Sequence, residues 1–216
     1  WSRTYSGFQD INFVPDYFLS FSKIEIPSHY GTETSRIRTI GWAFDNYVKV
    51  LKRDGDNEVS KKVLMVSSHA ITEQMVSVSI QLATANPNMK FYFRPHPNEQ
   101  LTVEQISSMN NLPNLFIDDN SENILVALSS YGIVLGVRSN VVYEALQMGK
   151  KVGKLYMEGL QPDYMSESDK CLFGQIYDNE SFQEFVNKEG NGKRTKGFYL
   201  EYDKFLMESI LRECKE

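Results

Sequence analysis

Cysteine is scarce in this chain: Cys171 and Cys214 are the only two among 216 residues, with no CxxC pair and no Cys/His cluster. That argues against a disulfide framework and a structural zinc site, and makes a reducing compartment the default. No His/Asp/Glu triad stands at ligand spacing, and Asp118-Asp119 is not a DxD pair, so no metal is assigned. GxGxxG, GxxxxGK[ST] and GxSxG are all missing, which disfavours dinucleotide cofactors, P-loop hydrolysis and a nucleophile elbow. Positive charge is in deficit, 23 Lys and Arg against 28 Asp and Glu for a net −5, and no basic run occurs. Affinity for nucleic acid or an anionic membrane rests largely on neutralising phosphates, so neither is an expected partner. No apolar run nears the roughly 20 residues of a membrane span. No signal-peptide pattern follows Trp1, and the chain reads as a piece of something longer.

Core-forming residues, by contrast, are plentiful: 41% of the chain is hydrophobic and 24% charged, the balance of an ordinary globular protein. The polar, Gly-containing run 52–61 (KRDGDNEVSK) reads as a loop or linker. Before it lie strand candidates Tyr17–Phe21 and Ile37–Ile40 and a helix from about Asp45 to Arg53. After it, short apolar runs alternate with helical periodicities. Strands are expected at Lys62–Ser67, Lys90–Arg94, Leu115–Ile117, Ile133–Gly136 and Lys151–Leu155. Between them, Ile71, Met75, Val78 and Leu82 recur at helical spacing and stop at Pro87, and Thr102 with Gln105 matches a capping box. Further helices are expected over Glu122–Ser129, over Asn140–Met148 up to Gly149, and over the amphipathic tail Tyr199–Cys214. Such alternation implies right-handed crossovers, hence an α/β fold with a doubly wound parallel sheet. The expected division is 1–55 as the end of a first domain with its linker, 56–198 as the α/β domain, and 199–216 as a last helix. Nothing in 156–196 suggests a named pattern.

Ligands of such sheets sit outside the carboxyl ends of the strands. There, Gly136-Val137-Arg138-Ser139 leaves a strand and enters a helix with Ser139 as a plausible N-cap, so free N–H groups beside Arg138 suit a phosphate. Glu144, in the second turn, could accept both hydroxyls of a ribose; as a bare pattern it could equally be a solvated helix residue. Arg94-Pro95-His96-Pro97 displays a guanidinium and an imidazole on a stiff turn, suited to phosphate oxygens and a sugar hydroxyl, or merely forms a surface turn. Ser67-Ser68-His69 reads more simply as a cap.

These residues carry a resemblance. Arg94–Asn98 (RPHPN), Leu115–Ile117 with its following helix, and Gly136–Tyr156 (GVRSNVVYEALQMGKKVGKLY), with Ser139, Glu144, Ala145, Gly149 and Lys150 at family spacing, resemble the C-terminal, donor-binding half of GT-B glycosyltransferases. The likeness is greatest to bacterial capsule and surface-polysaccharide transferases, CDP-glycerol glycerophosphotransferases and UDP-N-acetylglucosamine 2-epimerases. Val14–Phe21 and Ile37–Trp42 resemble the end of the first GT-B domain. The resemblance implies a nucleotide-activated sugar as substrate, no cofactor, and a Rossmann-like fold. It places Ser139 and its helix N-terminus at the diphosphate, His96 near the phosphate or sugar, Glu144 at the ribose, and Ile117 to Asn123 beside the base; Arg94, Arg138 and Asn140 join the diphosphate set from their places at the sheet edge, and His96 is the one candidate for a catalytic role. It also implies a glycan or lipid-linked acceptor and a general base supplied by a facing domain. The isolated chain is therefore expected to bind donor without transferring it, in the cytoplasm or at the inner face of the membrane. An exposed apolar patch around Tyr5–Phe21 is expected where the rest would pack. A CDP-polyol phosphotransferase, an epimerase-like enzyme and a degenerate nucleotide-binding module are the alternatives.

Overall fold

The computed structural model describes residues 17–21, 37–51, 61–157, 159–160, 171–188 and 199–214. They fall into two compact units: one holds the described residues up to Tyr47 and from 199 onward, the other those from Val48 to 188. Residues 52–60 of the linker candidate lie outside the described residues, as do residues 5–16 of the expected apolar patch. Of that patch, Leu19 and Phe21 are exposed.

In the first unit, β1 (Phe18–Ser20) and β2 (Ile37–Thr39) pair in parallel, with Ser20 Oγ donating to Thr39 Oγ1 at 3.0 Å. Helix α1 (Asp45–Val50) runs across the division, shorter than expected. The buried Trp42 ring lies 5.3 Å from that of Tyr199. Lys204–Glu213, the last helix of the chain, starts at Asp203, whose side chain accepts from Leu206 N at 2.9 Å.

The second unit is a six-stranded sheet. Its strands are β3 (Lys62–Val66), β4 (Lys90–Arg94), β5 (Leu115–Ile117), β6 (Ile133–Gly136), β7 (Lys151–Leu155) and β8 (Gly174–Ile176). They stand in the order β5-β4-β3-β6-β7-β8, every pair parallel. The helices are α2 (Thr72–Ala85), α3 (Val103–Asn110), α4 (Ile124–Leu128), α5 (Val141–Gln147) and α6 (Asn179–Asn187), which makes the tail helix α7. This is the doubly wound arrangement expected from the alternation of apolar runs.

Strand parity sorts the core into two layers. Val63, Met65, Phe91, Phe93, Ile133 and Leu135 share one cluster with Met75 and Leu82 of α2, Met109 of α3, and Phe182 and Phe185 of α6. On the opposite parity, a Cβ at Gly136 would stand 2.7 Å from Val66 Cγ2 and 2.9 Å from Val142 Cγ1, so the missing side chain is what lets α5 close onto the sheet. The Thr102–Gln105 capping box forms as expected, with Gln105 N donating to Thr102 Oγ1 and Thr102 N to Gln105 Oε1.

Strand β8 and helix α6 were not foreseen. A three-residue strand is too short for a period to show, and Phe182 and Phe185 are the two buried residues of a mostly polar helix whose start Asp178 caps by accepting from Ser181 N at 2.8 Å. Among the described residues no helix is long and apolar enough to cross a membrane.

Candidate functional site

Successive strands run outward from β3 to β5 on one side and from β6 to β8 on the other, so the strand order reverses between β3 and β6. That switch point is where an open parallel sheet leaves a crevice at its carboxyl edge. Val66 pairs with Arg94 on one side and Gly136 on the other, which sets the ends of β4 and β6 about 10 Å apart, two strand spacings, across β3. The loops holding the candidate residues therefore belong to one edge.

On the β4 side the loops are tied together. Arg94 is 8% exposed; its Nη1 donates to both carboxylate oxygens of Asp118, at 3.1 and 3.2 Å, and its Nη2 to the Glu122 carbonyl at 2.6 Å. Asp118 also accepts from Asn120 N at 2.9 Å and from the Tyr131 hydroxyl at 3.3 Å. Burial first, then the neighbouring Asp118 charge, pushes the Tyr131 phenol well above its ordinary range. Asn120 adopts φ 58, and its side-chain amide donates to the Pro95 carbonyl at 3.0 Å, which clips the loop after β5 onto the proline turn. Both Nη atoms of Arg94, a residue expected at the ligand, donate to protein groups. Asn123 caps α4 by accepting from Leu125 N at 2.9 Å, and Ile117 is half-buried at the end of β5.

His96 is exposed on its turn, and its Nδ1 accepts from Asn98 N at 3.2 Å. Sequence reading missed the residue that organises this turn. One Glu99 oxygen accepts from Ser67 Oγ at 2.8 Å and Thr72 Oγ1 at 2.7 Å, and the other from the backbone N–H of His96. A carboxylate thus already sits at the start of α2, the end that favours negative charge, and Ser67 serves it rather than a ligand.

The β6 side is sparser. Helix α5 starts at Val141 with Asn140 in the cap position, one residue later than expected, and Asn140 makes no side-chain cap bond. Ser139 nonetheless accepts from Val141 N through its Oγ at 3.3 Å, so it does part of the expected capping from one position upstream. Asn140 and Arg138 are exposed and Ser139 half-buried. Beneath this loop lies a second feature that sequence reading passed over. Lys154 is fully buried, with Nζ donating to the Val137 carbonyl at 3.0 Å and lying 4.6 Å from the Tyr143 ring and 5.3 Å from that of Phe173. A lysine inside an apolar strand gives no periodicity signal for that role.

Glu144 is half-buried on α5, and its carboxylate makes no hydrogen bond or ion pair among the described residues. Desolvation raises its pKa above the usual carboxylate range. Among the described residues no group of three or more His, Cys, Asp or Glu is placed to hold a metal ion.

No family model matches the chain, and no curated protein sequence matches it. Its fold does match solved structures. UDP-GlcNAc 2-epimerase from Neisseria meningitidis, bound to UDP-GlcNAc, is similar at 13% identity over 86% of this chain and 58% of that one, with a TM-score of 0.59. The glycotransferase of kitacinnamycin is 15% identical over 83% of this chain and 49% of that one, with a TM-score of 0.54. The wall teichoic acid polymerase TagF, with CDPG, is 14% identical over 83% of this chain and 47% of that one, with a TM-score of 0.50. The chain thus spans about half the length of these proteins. At such identities the likeness establishes the fold, and the resemblance drawn from the sequence holds at that level.

Proposed function

We propose that this chain binds the donor of a nucleotide-sugar-dependent glycosyltransferase of surface-polysaccharide synthesis. The observation that carries the reading is Glu144: a half-buried carboxylate with no protein partner among the described residues, on the helix that follows the switch-point loop. Keeping a desolvated carboxylate costs stability unless something hydrogen-bonds to it, and a pair of vicinal hydroxyls is a fitting partner. On this reading ribose lies on Glu144, the diphosphate on Ser139, Asn140 and Arg138, and His96 reaches the same phosphates or the sugar across β3. The base lies toward Ile117–Asn123. Arg94 supports the site from below rather than touching the ligand.

Transfer breaks the bond between the anomeric carbon and the diphosphate oxygen, and negative charge grows on that oxygen as it leaves. Arg138 and the N–H groups of Ser139 and Asn140 are the groups that would stabilise it, a contribution that is largest when donors are already oriented. The acceptor, a glycan or lipid-linked glycan, and its general base belong to a facing domain, and the setting is the cytoplasmic side of the membrane. That two structures of this fold hold UDP-GlcNAc and CDPG supports a pyrimidine nucleoside diphosphate as the first ligand to try.

The test is calorimetry of the 216-residue chain with UDP, CDP, GDP and ADP, free and sugar-linked. Binding of one of them, weakened in Glu144→Ala, supports the reading; no binding of any of them overturns it. Binding without transfer, by this chain or by one carrying the facing domain, would favour a nucleotide-binding module over an enzyme.

A further inference from the structure

Three loops that the sequence leaves unconnected meet on one carboxylate. Ser67 follows β3, Thr72 opens α2, and His96 sits in the turn after β4, and all three donate to Glu99. The last of these bonds uses the backbone N–H of His96, so it holds the turn itself rather than the ring. The ring is held from the other side, where Asn98 N donates to Nδ1 at 3.2 Å. An Nδ1 that accepts a hydrogen bond carries no proton, so in the neutral ring the proton is on Nε2. Nε2 has no partner among the described residues.

We propose that Glu99 is a positioning residue that fixes the His96 turn against the β3–α2 corner and so presents His96 as an Nε2–H donor to the ligand edge. The ligand part of this rests on the nucleotide-binding reading above; the positioning part does not. Two prolines stiffen the turn but cannot anchor it to the sheet. Glu99 supplies the anchor, and it borrows its own rigidity from two hydroxyls on elements of the core. Replacing it by Gln keeps one acceptor oxygen for Ser67 and Thr72 but cannot keep acceptors on both sides, so the His96 N–H loses its partner. Asn98 N then loses the geometry that aims it at Nδ1.

Two measurements test this on the 216-residue chain. The first needs no ligand: amide hydrogen exchange in wild type, Glu99→Gln and Asp178→Ala. Asp178 caps α6 through Ser181 and makes no bond to the 94–99 turn, so its loss destabilises the unit without removing a partner of the turn. Protection at His96 and Asn98 should fall in Glu99→Gln and stay at the wild-type level, relative to global stability, in Asp178→Ala. Equal protection in wild type and Glu99→Gln would overturn the positioning role. The second is a double-mutant cycle on UDP or CDP affinity with Glu99→Gln and His96→Ala. Each single change should weaken binding about tenfold, and the double variant should be no weaker than about tenfold, because Glu99 acts through His96. A roughly hundredfold, additive loss would overturn it. Absence of nucleotide binding by the wild type would defeat the nucleotide reading, while the exchange experiment still decides for or against Glu99.

Discussion

The two flanks of β3 carry equally polar loops at one sheet edge, yet they are built on opposite plans. On the β4–β5 flank two carboxylates are each held by three donors: Asp118 by Arg94, Asn120 and Tyr131, and Glu99 by Ser67, Thr72 and His96. On the β6–α5 flank Asn140 makes no side-chain cap bond and Glu144 makes no polar contact among the described residues. A half-buried carboxylate that protein leaves without a hydrogen bond keeps its acceptors available to another partner. On the proposed reading, the Asp118 network is a frame and Glu144 is the group that meets the ligand. Substitutions in the Arg94–Asp118–Asn120 network should therefore register mainly in stability, and at Glu144 mainly in affinity.

The largest effect that sharpens this contrast is expected from Arg94→Ala. Removing one member of a buried ion pair strands its partner, at about 3–5 kcal/mol. Asp118 would keep its bonds from Asn120 and Tyr131, so the lower end, about 3 kcal/mol, is expected, read as a shift in urea midpoint at unchanged slope. A loss under about 1 kcal/mol, with nucleotide affinity falling instead, would make Arg94 a ligand contact and erase the distinction between the flanks.

Next in size is Glu144→Ala, expected to cost about 1.5–3 kcal/mol of nucleoside-diphosphate binding, roughly 10- to 150-fold, with little loss of stability. Calorimetry with the cognate diphosphate measures it. Unchanged affinity would return Glu144 to the helix surface. A smaller effect is expected from Asn120→Ala, which gives up the bond to the Pro95 carbonyl and puts a Cβ residue less tolerant of that backbone at φ 58. Together these should cost about 1–2 kcal/mol of stability and leave diphosphate affinity at least fivefold better than in Glu144→Ala.

Most of the sheet was legible because parallel strands covered on both faces leave short apolar runs, as in KVLMV and IVLG, and because a capping box is a local signal. What escaped is tertiary. The Arg94 partner lies 24 residues away and the three donors to Glu99 come from three elements, so no window along the chain contains either arrangement. Glu144 was legible as a candidate from its spacing to Ser139, but its lack of a protein partner could be seen only with its neighbours in place. Gly174 is a comparable case: a Cβ there would stand 2.1 Å from the Phe185 ring, a close approach that a lone glycine in the chain does not announce.

The smallest effect separates the flanks by sign rather than size. Desolvation raises the Glu144 pKa, so the folded state holds that proton more tightly than the unfolded state, whose carboxyl titrates near about 4.3. Between that ordinary value and the raised one, the folded chain binds more protons, and stability falls as pH rises. Below the window both states are protonated and the penalty vanishes; above it the penalty is complete. Glu144→Gln carries no such penalty. It should unfold at a slightly higher temperature than wild type at pH 7, and the gap should close as pH is lowered toward 4. Nucleotide should reverse the order at pH 7, because only the ionised carboxylate offers two strong acceptors to the ribose, and ligand binding to the folded state adds stability in proportion to affinity. Thermal melts of both proteins at pH 4 and 7, with and without UDP or CDP, read all four corners. A Glu144→Gln variant less stable than wild type at pH 7 without ligand would show that Glu144 is satisfied by protein after all, and that the two flanks follow one plan.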